Sequence, residues 1–270
     1  NVFFKEHNVE LIVLQNKYPL PNNYFGAFRN QYFEFSIIDH MAATMRADDT
    51  FLLLDSDCVF TSSLDTSFIK LNDQDIAMTY VVNHVEKYTI HGVTGKEMRQ
   101  IFEDFNVPLD KNPLYSGGEL LFAKGAFIKA VALDFPRLFQ NMLDRYKKGR
   151  PKFNEEAHVL SYYFYKYGAQ MAAMDSYIKR LWTNKNYYRN VKPNDKKLAI
   201  WHLPNEKKTG IAKLFRKLTS GDDFTKLPEK EYQELLYDYL LNPSNYKTDY
   251  VALTKDLASR CLIALRLNII

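Results

Sequence analysis

Phe51-Leu52-Leu53-Leu54-Asp55-Ser56-Asp57-Cys58-Val59-Phe60 is the stretch on which the fold turns. Its four leading apolar residues, unbroken by a polar one, read as a buried strand. The strand stops at two aspartates one residue apart. Side chains at i and i+2 of a strand share a face, so both carboxylates can address one ion. Hard divalent cations such as Mg2+ and Mn2+ prefer oxygen ligands and keep positions open for phosphate oxygens. An Asp-x-Asp pair is common in loops, and its place at the end of an apolar strand is what singles this one out. Asp48-Asp49 precedes the strand and reads as an exposed turn.

Working outward, Val9 to Gln15 is a short apolar run rich in β-branched residues and reads as another buried strand. Asn16 to Gly26 holds two prolines, three asparagines and a glycine, the composition of a loop. Arg29 to Ala43 has helical spacing through Tyr32, Phe33, Phe35, Ile37, Ile38 and Met41. Downstream, Ile76 to Val82 reads as a strand and Lys96 to Phe105 as a helix. Tyr115 to Gly118 reads as a tight loop leading into a strand over Glu119 to Ala123. Gly125 to Lys147 is one long helix or two broken near Pro136. Glu155 to Tyr167 is helical, with Asn154 available as its N-cap. Met171 to Ala173 and Leu198 to Trp201 are short strands. Helices fit Glu229 to Leu241 and Thr254 to Leu267.

Strands alternating with helices predict an α/β fold with a mostly parallel sheet flanked by helices. In such sheets ligands bind beyond the carboxyl ends of the strands, where Asp55 and Asp57 stand. The composition shifts to Lys, Leu, Tyr and Asp late in the chain. The expected organisation is a ligand-binding and catalytic domain over 1–212 and a C-terminal helical extension over 213–270.

Bulk properties narrow the function classes. The chain has 270 residues, 46% of them apolar and 25% charged, ordinary for a globular protein with a core of useful size. A net charge of +4 is too small to argue for nucleic acid and suits phosphate-bearing ligands or an anionic membrane surface. The two cysteines, Cys58 and Cys261, are far apart, which gives no disulfide framework and makes a reducing cytoplasm the expected setting. No apolar run is long enough to span a membrane. The first ten residues lack the form of a signal peptide and look like the end of a helix, so an opening strand is expected to be missing.

Four segments in order give a more specific reading. Leu52-Leu53-Leu54-Asp55-Ser56-Asp57-Cys58-Val59-Phe60 resembles the Asp-x-Asp segment of glycosyltransferases with the GT-A fold. Phe25-Gly26-Ala27-Phe28-Arg29-Asn30 resembles their arginine-bearing segment at the border of the donor site. Tyr115-Ser116-Gly117-Gly118-Glu119-Leu120-Leu121-Phe122 is similar to their Asn-(Ala/Ser)-Gly turn entering a strand. Trp201-His202-Leu203-Pro204-Asn205-Glu206-Lys207-Lys208-Thr209-Gly210 resembles the late His-x-x-Gly-x-Lys segment of the glycogenin-like and lipopolysaccharide-galactosyltransferase group. Pro204-Asn205 stands where that segment has its glycine, and the group's base-binding first strand has no clear counterpart.

The resemblance implies a hexosyltransferase that uses Mn2+ or Mg2+ and a nucleotide-sugar donor, most simply a UDP-sugar. It implies Asp55, Asp57 and His202 as metal ligands. Arg29, Ser56, Lys207 and Lys208 join Asp55 and Asp57 around the donor diphosphate. Ser116, Gly117, Gly118 and Glu119 border the substrate, and Glu156, then Glu155, would face the sugar or the acceptor hydroxyl. The acceptor it implies is a glycan, a lipid-linked or a glycoprotein acceptor of bacterial surface polysaccharide synthesis. Homo-oligomers and a peripheral contact with the inner face of the membrane through Leu257 to Ile270 are compatible with it.

Each residue has a plainer reading beside this one. Lys207 and Lys208 also fit a solvated basic loop, since Lys213, Arg216 and Lys217 follow. Glutamates in a first helical turn are favoured by the helix dipole whatever their role. Two glycines are what any sharp turn uses. His202 is also readable as a satisfied structural histidine, and His7, His40, His84 and His91 as ordinary residues. Two rival functions stay open: a nucleotidyltransferase or sugar-phosphate enzyme, and a non-catalytic nucleotide- or carbohydrate-binding protein.

Overall fold

The computed structural model describes residues 2–6, 8–26, 29–63, 76–184, 189–219 and 224–242. The helices are α1 (Val2–Glu6), α2 (Glu34–Thr44), α3 (Gly95–Asp104), α4 (Gly125–Lys147), α5 (Glu156–Tyr167), α6 (Gly210–Thr219) and α7 (Glu229–Leu236). The strands are β1 (Thr50–Leu54), β2 (Cys58–Phe60), β3 (Ala77–Met78), β4 (Val81–Asn83) and β5 (Thr89–Ile90), then β6 (Val93–Thr94), β7 (Tyr115–Ser116), β8 (Leu120–Lys124), β9 (Ile178–Arg180) and β10 (Ile200–His202). Two compact units divide the chain: Asn1–Asp55 with Thr66–Asp175, and Ser56–Asp65 with Ser176–Ile270.

The first unit is built round β8. Leu120 to Ala123 are all buried, because β8 is flanked on both sides, in the order β1-β8-β3. Both neighbours run antiparallel to it, with Leu52 opposite Phe122 and Met78 opposite Phe122 on the other side. β1 and β3 therefore run the same way without touching. The α/β class is as expected, and the parallel character of the sheet is met only in part among the described residues, because β8 sits between β1 and β3 and pairs antiparallel with both. Among the described residues, parallel pairing is confined to β9 with β10 and a bridge between Met78 and Gln170.

From β8 the chain enters α4 without a loop. Gly125 permits this, since a Cβ there would lie 1.9 Å from the Arg46 carbonyl oxygen, and its N–H donates to Asp49 O at 2.7 Å. α4 is one continuous helix with Pro136 inside it. The lost N–H is tolerated because the adjoining face is anchored: Phe135 stacks on Phe35 of α2 at 3.7 Å, and Leu138 and Phe139 are buried. α3 starts at a complete capping box, with Thr94 Oγ1 accepting from Glu97 N and Glu97 Oε2 accepting from Thr94 N.

Three expectations fail in this unit. Val9 to Gln15 is not a strand; Leu11 and Val13 are 66% and 87% exposed, and no described strand pairs with the run. β-propensity without a ladder partner does not make a strand. Met171 to Ala173 is a turn. Asn154 does not cap α5, because its Oδ1 accepts from Lys152 Nζ and its Nδ2 donates to His91 O. Glu155 takes the cap position without capping through its side chain.

The second unit has its own sheet, in the order β2-β10-β9. Its core is Leu181, Trp201, Leu203, Leu214, Leu236, Leu240 and Leu241. Trp201 is fully buried, and its Nε1 donates to Asp195 O at 2.8 Å. The basic stretch from Lys207 turns out to hold α6, whose Leu214 packs inward. The helix expected at Glu229 to Leu241 is found as α7 and a π turn over Tyr237–Leu241. The helix expected over Thr254 to Leu267, like Cys261, lies outside the described residues. No described helix is long and apolar enough to cross a membrane.

Candidate functional site

β2 and β10 pair antiparallel, with His202 opposite Cys58, and Leu203 N donates to Asp57 O at 3.0 Å. This ladder fixes the residue before β2 against the last residue of β10. Asp57 and His202 are buried, at 1% and 4% exposure. His202 Nε2 stands 3.4 Å from Asp57 Oδ1, and Lys207 Nζ stands 3.2 Å from Asp57 Oδ2. The carboxylate thus divides its two oxygens between an imidazole and an ammonium. Oδ1 is enclosed and has no hydrogen bond. Burial pushes the Asp57 carboxyl up, but the His202 ring and the Lys207 ammonium outweigh it and hold it below its ordinary value.

Asp55 is two peptide bonds from Asp57, so chain continuity keeps it close. Asp55, Asp57 and His202 each offer one ligand atom, and these atoms lie within 4.8 Å of one another. Ligands about 2.1 Å from an octahedral ion stand about 3.0 Å apart when adjacent and about 4.2 Å when opposed. The 3.4 Å spacing of His202 and Asp57 falls inside that range. Two carboxylates and one neutral imidazole are a chemically apt donor set for a divalent cation. Ser56 and Lys208 are exposed beside these residues in sequence. Arg29 opens a 3-10 turn (Arg29–Phe33), and its side chain lies outside the described residues.

The other predicted residues come together within the first unit. Ser116 ends β7, and its N–H donates to Ser161 Oγ of α5 at 3.0 Å. Gly117 and Gly118 follow, and both are required by carboxylates. A Cβ on Gly117 would meet Glu119 Oε2 at 2.0 Å, and one on Gly118 would meet Glu156 Oε1 at 2.5 Å. Glu119, Glu155 and Glu156 are all buried. Glu155 Oε1 accepts from Tyr115 Oη at 2.7 Å and lies 3.5 Å from His158 Nδ1; its Oε2 lies 3.3 Å from His91 Nε2. Expected to be an ordinary residue, His91 instead reaches this buried glutamate. It does so from a left-handed backbone position, φ 45°, in the turn between β5 and β6.

Sequence reasoning overlooked Glu34, His158 and Glu206. Glu34 Oε1 is enclosed without a hydrogen bond, and its carboxyl is pushed well up by burial and by the charges of Glu156 and Asp55. It follows Phe33 on a helix read only for its apolar stripe. His158 lies in the first turn of α5, and burial pushes its imidazole down to about 3. Glu206 carried a legible signal: an acidic residue just ahead of a helix that begins at Gly210.

No protein-family description matches the chain, and no curated protein matches it. Among solved structures it is similar to mouse xyloside xylosyltransferase 1, at 13% identity over 68% of each chain with a TM-score of 0.38. It is also similar to the galactosyltransferase LgtC in complex with donor and acceptor sugar analogues, at 12% identity over 86% of this chain and 73% of that one, TM-score 0.40. An active-site mutant of LgtC gives 13% identity over 86% and 76%, TM-score 0.42. Likeness of this degree carries no weight for chemistry, which rests on the residues themselves.

Proposed function

We propose that this chain is a metal-dependent glycosyltransferase that moves a sugar from a nucleoside diphosphate sugar, a UDP-sugar in the simplest case, to a glycan or glycoconjugate. The observation that carries the reading is Asp57: a buried carboxylate with one enclosed oxygen facing His202 and the other facing Lys207. A carboxylate buried only for structure has its lone pairs satisfied, whereas Asp57, just ahead of β2, has an enclosed oxygen without a hydrogen bond and only the His202 ring 3.4 Å away. Two oxygens and an imidazole suit Mn2+ somewhat better than Mg2+. A bound divalent ion there would neutralise charge on a leaving diphosphate.

Asp55, Asp57 and His202 hold the ion in this reading. Lys207 presents an ammonium beside it, with Lys208, Ser56 and Arg29 assigned to the remaining diphosphate contacts. Ser116, Gly117, Gly118 and Glu119 are assigned to the acceptor side. Of the two helix-start glutamates, Glu156 is assigned to face the reacting sugar or hydroxyl, and Glu155, which accepts from Tyr115 and stands beside His91, comes second.

A screen of nucleotide sugars for thermal stabilisation, with and without Mn2+, tests this. UDP-sugars should stabilise the protein only with the metal, and donor hydrolysis should disappear in Asp57→Ala. Turnover unchanged in that variant would remove the site.

A further inference from the structure

Glu206 is among the most enclosed charged side chains described, at 1% exposure, yet it directly precedes the half-exposed Lys207. The turn is wound around its carboxylate. Oε1 accepts from Thr183 Oγ1 at 2.5 Å; Oε2 accepts from Thr209 Oγ1 at 2.6 Å and from Gly210 N at 3.0 Å. The backbone closes the same turn, with Glu206 N donating to Leu203 O and both Thr209 N and Ile211 N donating to Glu206 O. Gly210 is forced by this packing, since a Cβ there would lie 2.7 Å from Glu206 Oε2 and 2.9 Å from Tyr239 O. A buried carboxylate at this place also satisfies an N-terminal N–H of α6 and faces the positive end of its dipole.

We propose that Glu206 is a positioning residue: it fixes the Leu203 to Gly210 turn so that Lys207 is held on Asp57 and its ammonium is aimed at the ligand phosphate. The part played by phosphate rests on the glycosyltransferase reading; the hold on Lys207 does not. Leu203 is tied to Asp57 at one end of the turn, and α6 is capped by Glu206 at the other. Between these two anchors Lys207 has little freedom, and the ordering entropy of a long side chain is met before a ligand arrives. Lys208, exposed and next in the chain, serves as an internal reference.

The test compares Glu206→Ala and Glu206→Gln in the full chain. The first readout is the labelling rate of each lysine by a water-soluble amine-reactive ester, followed by peptide mass spectrometry. In the wild type Lys207 should label several-fold more slowly than Lys208. Glu206→Ala should erase that difference, and Glu206→Gln, which can still accept from Gly210 and donate to Thr183, should restore most of it. The second readout is binding: affinity for UDP in saturating Mn2+ should fall about tenfold in Glu206→Ala, while Mn2+ affinity stays within about twofold. Should Glu206→Ala not fold, Thr183→Val, which removes a single hydrogen bond, should give the same labelling change at smaller amplitude. Unchanged Lys207 labelling in the folded variants overturns the proposal. Altered labelling in a protein that binds no nucleotide leaves Glu206 in place and removes the transferase reading instead.

Discussion

Asp57 in the second unit and Glu155 in the first are both buried carboxylates beside histidines, and their oxygens meet different partners. Glu155 has Tyr115 donating to one oxygen and His91 beside the other, with His158 close by. Asp57 has an ammonium near one oxygen, while the other is enclosed without a hydrogen bond and faces an imidazole at 3.4 Å. A fully engaged carboxylate ties elements together; here it joins β7 and α5 to the His91 turn. A carboxylate with an acceptor oxygen left over, set against a second ligand-type atom, retains capacity for an ion. Burial is common to both, so burial alone does not separate scaffold from site. The distinction lies in what each oxygen meets.

This contrast breaks most sharply under exchange of the acids. Asp57→Asn keeps size and removes charge. It should lower metal-dependent turnover by a hundredfold or more, about 2.7 kcal/mol in transition-state terms, while Tm changes little. Steady-state rates across Mn2+ concentrations, with calorimetry on the same samples, check it. Glu155→Ala should behave in reverse on the stability axis. It removes the buried acceptor of the Tyr115 hydroxyl and costs on the order of 3 kcal/mol, visible as a clear drop in urea midpoint. If Glu155→Ala left the midpoint unchanged, the scaffold role would be wrong.

Acid sharpens the comparison further. His158 titrates near 3 in the folded protein, against about 6.5 for a free imidazole. The unfolded chain binds the extra proton between those values, so this contribution to stability is intact above about pH 6.5 and declines as pH falls. Glu34, whose carboxyl is raised by burial, acts with the opposite sign. The informative quantity is therefore a difference. Replacing His158 with Asn should flatten the pH dependence of unfolding free energy between pH 6.5 and 5 by up to about 1.4 kcal/mol per unit. Equal slopes in the two proteins would contradict the neutral, buried imidazole.

The smallest expected effect belongs to Glu34 itself. Its enclosed Oε1 lacks a hydrogen bond and the nearby charges repel its ionised form. Glu34→Gln should therefore raise stability at pH 8 by roughly 1 kcal/mol and lose that advantage near pH 4, read from denaturant curves at both values.

Much was legible in the chain itself. The apolar run ending in Asp55 and Asp57, the helical periods of α2, α3, α4 and α5, and the strand before His202 are all where local pattern puts them. Side-chain period and cap chemistry are local properties, so sequence carries them. Val9 to Gln15 shows the limit: its composition is that of a buried strand, but pairing needs a partner edge that no local rule supplies. Asn154 is a good cap by type, and it lost that role to Lys152 and His91, the latter more than sixty residues away.

The sequence by itself determined which residues are able to bind an ion and roughly which elements carry them, because ligand type and periodicity are written residue by residue. Only the tertiary structure decided that His202 meets Asp57 across a β2–β10 ladder, that β8 separates β1 from β3, and that Gly117 and Gly118 make room for glutamates. Those outcomes depend on contacts between segments far apart in the chain, whose free energy comes from burial and pairing with one another and not from either segment alone.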